Sequence, residues 1–291
     1  MKKLFFIACI GCVLISSSLC SCDKKNEPED STEQKWANGV LPGKFSVSAD
    51  KQVNFSQGNL QATTTDLGKN WTWTFAANQY DIIGDAVANN VITGNGTVSS
   101  NGTVDQFGWS TAATYYGIHN SKEEKTYSGD FVDWGVNVIT NGGKKANLWR
   151  TLTNAEWSYL FFTRANAATL FALGTVNGVN GTILLPDNWT LPSDASFTPS
   201  TEKGLQPGGW YYNLNEDNFS HNTYTITQWA VMESAGAVFL AGYEWGGSYW
   251  SATPCGQEYA LCLVFTSHHL KEGEMDSRDC GEIVRLVKDV K

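Results

Sequence analysis

Short alternations of apolar and polar residues mark both ends of this chain. Phe45-Ser-Val-Ser and Val53-Asn-Phe-Ser each alternate, and Trp71-Thr-Trp-Thr-Phe sets three aromatics on one side with threonines opposite. That period of two predicts half-buried strands. Near the other end, Tyr259, Leu261, Leu263 and Phe265 alternate with Ala260, Cys262 and Val264. The pattern places Leu261, Leu263 and Phe265 on the core face and leaves the opposite face free. Ala237-Val-Phe-Leu, the run Ser248 to Thr253 and Ile283-Val-Arg-Leu-Val predict further strands. Two helices are expected between these groups. Thr153-Asn-Ala-Glu156 has the form of a capping box, in which a threonine accepts from the first turn and a glutamate reaches back. Trp157, Leu160 and Phe161 follow it at helical spacing. Thr225-Ile-Thr-Gln228 predicts a second box, opening a helix that Gly236 closes. Residues 84–145, rich in Gly, Asn, Ser and Thr, predict long loops with brief strands. Asn-Gly pairs at 101–102, 141–142, 177–178 and 180–181 mark turns. Strands, a helix, a long excursion, a second helix and antiparallel strands together predict an α+β fold.

One apolar stretch belongs to no such pattern. Leu4 to Ile15 follows Met1-Lys2-Lys3 and leads into a small-residue zone ending at Cys22. A positive start, about a dozen apolar residues and small residues at the end make a secretion signal too short to span a bilayer. Leu19-Cys20-Ser21-Cys22 resembles the lipobox of bacterial lipoproteins, with Leu19 at minus three and Ser21 at minus one. The resemblance implies that Cys22 takes the lipid; Cys20 fits less well behind the bulky Leu19. Plain secretion with a chance cysteine is the alternative. We therefore expect a signal peptide over 1–21, a lipidated cysteine and disordered tether over 22–41, and one domain over 42–291. Residues 23–35 are charged and almost free of apolar side chains, too poor in buriable surface to offset the entropy of ordering. The acidic residues Glu27, Glu29, Asp30 and Glu33 loosely resemble a surface-export signal of Bacteroidetes lipoproteins, and Asp30-Ser31-Thr32 their short O-glycosylation motif. A solvated linker is the simpler account.

Composition sharpens the picture. The chain holds 12 Trp, 11 Tyr and 14 Phe among many Gly, Asn and Thr, as in turn-rich extracellular modules with aromatic packing. Its formal charge of -9 becomes -11 once Lys2 and Lys3 leave with the signal. Such an acidic body argues against nucleic acid as a partner and offers no basic patch to anionic lipid heads. Contact with a bilayer then rests on the acylated Cys22.

Several stretches together resemble a known family. They are Phe45-Ser-Val-Ser with Val53-Asn-Phe-Ser-Gln-Gly-Asn-Leu, Leu148-Trp-Arg-Thr-Leu-Thr-Asn-Ala-Glu-Trp, Ile183-Leu-Leu-Pro-Asp-Asn-Trp, Met232-Glu-Ser-Ala-Gly-Ala-Val-Phe-Leu, Tyr249-Trp-Ser-Ala-Thr-Pro and Val284-Arg-Leu-Val-Lys-Asp. They are similar to the Fibrobacter succinogenes major paralogous domain, common in Bacteroidetes surface lipoproteins. The resemblance covers about 45–290 and is densest over 148–290. It implies the C-type-lectin-like fold shared with formylglycine-generating enzymes, with the first and last strands paired, two flanking helices and variable loops on one face. It implies fold more than function. Relatives of this fold also serve retroelements as diversified receptors, with variation in the last strands, here Tyr249 to Lys288.

The chemistry available is sparse. The mature chain carries Cys255, Cys262 and Cys280 besides Cys22. Outside the cytoplasm a disulfide is favoured, and Cys255 and Cys280, both at strand ends, are the expected pair, with Cys262 left over. Cys255 and Cys262 do not reproduce the copper pair of a formylglycine-generating enzyme. His119, His221, His268 and His269 lack the helical motif of iron-dependent relatives. The oxygen-rich Asn213–Asn218 stretch could hold calcium, but it lacks the Glu-Pro-Asn and Trp-Asn-Asp signatures of calcium-dependent lectins, and a polar loop is the better account. No nucleophile set, phosphate-cradling loop or zinc spacing appears, so no metal, cofactor or catalysis is expected. Aromatics beside glycines remain: Trp210, Tyr211 and Tyr212 follow Pro-Gly-Gly, and Trp245 precedes Gly246-Gly247. The expectation is a binding or adhesion module on the cell surface, taking a glycan or protein through Trp245, Tyr259, His268, His269 and Arg278. A metal-dependent enzyme on the same fold is the alternative.

Overall fold

The computed structural model describes residues 35–84, 91, 99–112, 129–200, 211–212, 218–267 and 269–291. Cys22 lies outside them, and so do Trp210, His119, His268 and most of Asn213–Asn218. The fold is α+β and mostly antiparallel, with two short α-helices among the described residues. Among the described residues no helix is long and apolar enough to cross a membrane.

Among the described residues the strands form four sheets. The first runs β1 (Phe45–Ser46), β2 (Gln52–Phe55), β17 (Leu286–Asp289), β7 (Arg150–Thr151). Here the early and late strands pair antiparallel, Val287 opposite Phe55 and Asp289 opposite Val53, as the resemblance implied. The six-stranded second sheet runs β10 (Tyr211–Tyr212), β15 (His269–Ser277), β14 (Tyr259–Thr266), β13 (Gly246–Cys255), β16 (Glu282–Ile283), β6 (Gln106–Phe107). The third runs β11 (Thr223–Tyr224), β8 (Phe171–Val176), β9 (Val179–Leu184), β12 (Val238–Ala241). The fourth runs β4 (Thr72–Phe75), β3 (Leu60–Thr64), β5 (Gly102–Val104).

Both capping boxes form. Thr153 and Glu156 bond reciprocally at the start of α1 (Asn154–Ser158), and Thr225 and Gln228 do so at α2 (Ile226–Ser234). The first helix is shorter than expected, because Tyr159–Thr163 winds as a wider π turn. The segment read as a long excursion is instead partly sheet. Asn177 and Gly178, at φ 52° and 80°, make the mirror-type turn that joins β8 to β9.

The expectation of a free outer face on 259–265 is overturned. Leu263 and Phe265 enter one core with Tyr249, Phe55 and Trp157. Ala260 and Cys262 enter another with Trp250, Trp109 and Trp134. The β13–β14 hairpin is thus covered on both sides, because tryptophans from the 102–149 segment close over the second face. Leu261 is only half-buried, opposite the exposed Met275. A bulge accounts for this change in course: Cys262 faces Glu274 but Leu263 faces Glu272, so Gly273 is the extra residue in β15.

Candidate functional site

With both faces of the hairpin covered, its ends are what it offers to solvent, and the expected residues divide between them. Gly246 pairs with Thr266 at one end and Cys255 with Tyr259 at the other. Tyr259 and Phe265 are six residues apart on β14, about 20 Å at the rise of a strand. The five residues expected to share a binding surface therefore do not: Trp245 and His269 lie toward one end, Tyr259 and Arg278 toward the other, and His268 lies outside the described residues.

Arg278 is a correction. It is buried, its guanidinium 4.2 Å from the centre of the Trp109 ring. Its Nε donates to the Tyr259 carbonyl (3.0 Å), Nη1 to Gly129 (3.1 Å) and Nη2 to Gly256 (2.9 Å). Its own carbonyl accepts from Trp109 N at 2.7 Å. The side chain is a clamp that ties the β13–β14 turn to the second core, with its donors turned inward. Tyr259 is exposed beside it.

The expected Cys255–Cys280 bond is not formed either; Cys255, Cys262 and Cys280 are free thiols. Cys262 is buried in the second core and Cys280 packs against it. Burial raises both thiols to about 12, and neighbouring carboxylates add to the effect, which makes them poor nucleophiles. Cys280 approaches the Cys262 side of the sheet because residues 278–281 cross from β15 past β14 and β13 to reach β16.

The opposite end is built differently. Tyr243, Glu244, Trp245 and Gly246 form a tight turn between β12 and β13, closed by Tyr243 N to Gly246 O (2.6 Å) and Gly246 N to Tyr243 O (3.2 Å). The Asn180 amide holds the tip by donating to the Glu244 carbonyl at 3.0 Å. Gly246 sits at φ 144°, and a Cβ there would meet the Phe265 carbonyl oxygen at 1.9 Å, so the turn requires glycine. On this fixed turn Trp245 is 79% exposed, the most exposed of the large hydrophobic residues described.

Beside Trp245 lies a groove of about 350 Å³. Tyr243, Trp245 and Val264 give it apolar surface, while Gln106, Ser248 and Glu282 give it polar groups. Glu282 enters from β16, which pairs parallel with β13 and antiparallel with β6. Its carboxyl is raised well above the usual carboxylate range, first by loss of water and then by the nearby Asp276 carboxyl. The Ser248 hydroxyl is close enough to bias Glu282 but makes no hydrogen bond of good geometry. The Gly-Gly beside Trp245 was the visible signal for this site. Tyr243 follows from it as the other end of the turn; Gln106 and Glu282 arrive only through strand pairing, which no local pattern announces.

Two other hollows have their polar groups spent within the protein. The larger of the two, about 860 Å³, is lined by Arg150, Glu156 and Asp289 among others. There Arg150 holds Glu156 with two bonds of 2.8 Å and Asp289 with bonds of 2.9 and 2.8 Å. Another, of about 490 Å³, lies at the start of α2, where the Thr225–Gln228 box uses the polar groups. Among the described residues no three His, Cys, Asp or Glu side chains come together to hold a metal.

No family model, curated protein or solved structure matches this chain.

Proposed function

We propose that this protein is a membrane-anchored surface lipoprotein whose C-type-lectin-like domain is a binding or adhesion module, and that the Trp245 groove is its recognition site. The observation that carries the binding reading is the rigid exposure of Trp245. An indole with most of its surface in water contributes little to the fold, yet the backbone around it is fixed by three hydrogen bonds and an obligatory glycine. Aromatic side chains held this way lose little freedom on binding and supply a large share of interface energy. Pairing of β2 with β17 and the two capped helices support the C-type-lectin-like fold. The positive start, apolar run and Leu19-Cys20-Ser21-Cys22 support the anchor.

The test has two arms. Cell fractionation should find the Cys22→Ser variant released from membranes or left as an unprocessed precursor; a Cys22→Ser chain that still partitions through an acyl group refutes the anchor. For binding, the full chain is screened on glycan and protein arrays beside Trp245→Ala and Tyr259→Ala. Loss with Trp245→Ala alone supports the groove. Loss with Tyr259→Ala alone moves recognition to the far end of the hairpin.

A further inference from the structure

We infer that the Trp245 groove takes an uncharged saccharide ring, its flat carbon–hydrogen face on the indole and its hydroxyls turned to Gln106, Ser248 and Glu282. The inference rests on the binding reading above and gives it a ligand class.

Three features of the groove select that chemistry. The first is its division into halves. Trp245 and Tyr243 offer flat apolar area, and an amide, a hydroxyl and a carboxyl lie beside them in the same 350 Å³ hollow. A ligand that satisfies both must carry apolar area and several hydrogen-bonding groups on one small rigid body, which an aliphatic side chain does not. A sugar hydroxyl donates and accepts, and so do the Gln106 amide and the Ser248 hydroxyl, so the partners match without a fixed polarity. The Ser248 hydroxyl, set between Glu282 and Cys262, makes no bond of good geometry within the protein.

The second feature is charge. No Lys, Arg or His lines the groove, and its one acidic lining residue is Glu282. A phosphate, sulfate or carboxylate would find no counterion there, on a chain already at -9. The third is shape. A cationic group is held best when aromatic faces surround it and water is excluded, whereas Trp245 is an open platform at 79% exposure. The carboxyl that would pair with such a cation is also driven toward its neutral form by burial and by Asp276.

The test is calorimetric titration of the full chain, purified in detergent, with neutral oligomers of glucose, mannose, galactose and xylose, and in parallel with heparin and oligolysine. At least one neutral oligomer should bind. Trp245→Ala should weaken it about thirtyfold, a hot-spot loss; Ser248→Ala and Gln106→Ala should weaken it several-fold, and Tyr259→Ala should leave it unchanged. Near-UV circular dichroism of each variant shows whether the fold is kept. The inference is overturned if no neutral oligomer binds at millimolar concentration, if the one that binds ignores Trp245→Ala, or if only heparin or oligolysine binds. A charged or protein ligand lost with Trp245→Ala removes the saccharide and leaves the binding module standing. A ligand indifferent to Trp245→Ala but lost with Tyr259→Ala removes the groove as the recognition site.

Discussion

At one end of the β13–β14 hairpin an arginine lies flat on a tryptophan; at the other a tryptophan stands in water. The residue types at the two ends look alike in sequence, aromatic side chains among glycines and polar neighbours. Their physical states are opposite. Arg278 spends its donors on carbonyl oxygens of Tyr259, Gly129 and Gly256 and its flat face on Trp109. Trp245 leaves its ring to solvent while the backbone beneath it is fixed. Enrichment of Arg and Trp at interfaces is therefore a poor guide until partners are counted: a side chain that is already satisfied inside the fold has little left to offer a ligand.

The comparison is broken most directly at Arg278. Arg278→Ala removes a cation stacked on an indole and strands three carbonyls in a covered region, at a cost of about 4 kcal/mol. Urea denaturation measures it. Arg278→Lys should recover less than half, because an ammonium lacks the planar fork that reaches three acceptors at once. A cost below about 1 kcal/mol would mean that Arg278 is not the clamp its geometry describes, and would return it to the list of surface candidates.

A second difference between the ends is set by pH. Asp105 precedes Gln106 of the groove and is fully buried, accepting from Ile83 N at 2.8 Å and Gly84 N at 2.7 Å. Burial outweighs those two bonds and raises its carboxyl to about 6. The folded state thus takes up a proton that the unfolded chain binds only near pH 4, so stability rises as pH falls from about 6 to about 4. The size is about 3 kcal/mol at most, and Glu282, also raised, acts in the same direction. Asp187 opposes it below that window: Ser46, Gln52 and Arg164 hold its carboxyl below the ordinary value despite burial, and that stability is lost as pH falls through its lowered range. Urea midpoints should rise from pH 7 through 6 and 5 to 4 and fall only at still lower pH, and Asp105→Asn should flatten the rise. If wild type and Asp105→Asn follow the same curve, Asp105 is not the titrating group.

How much of this was legible depends on how local each cause is. The two capping boxes are written within four residues each, and both form. The Asn177-Gly178 turn was visible, but its strands were not: Phe171–Val176 includes Ala172 and Gly174 and is covered on nearly every residue, so no alternation shows. On 259–265 the alternation correctly separates odd from even positions. It is silent on whether another element covers the second face, and Trp109 and Trp134 come from segments that read as loops. Arg278 was misplaced for the same reason, since an arginine in a turn looks exposed until Trp109 is brought beneath it. Trp245 could be found because its exposure is enforced by its own neighbours, the glycines that make the turn. Gln106 and Glu282 had no local signal, being gathered by the pairing of β16 with β6 and β13.

The smallest expected effect is the most discriminating. If Trp245 belongs to recognition and not to the fold, Trp245→Ala should change the free energy of unfolding by no more than about 0.5 kcal/mol, the usual range for a surface substitution. The side chain buries too little area for more, and the turn is held by the hydrogen bonds of Tyr243, Gly246 and Asn180, none of which uses the indole. Truncating a tryptophan packed in the interior, such as Trp157 or Trp229, costs about 3–5 kcal/mol, so the same change separates the two kinds of residue cleanly. Denaturation of Trp245→Ala beside Trp229→Ala makes the comparison within one protein. A loss near that of Trp229→Ala would show that Trp245 packs against something in the folded state, and the argument that its exposure is kept for a ligand would fall with it.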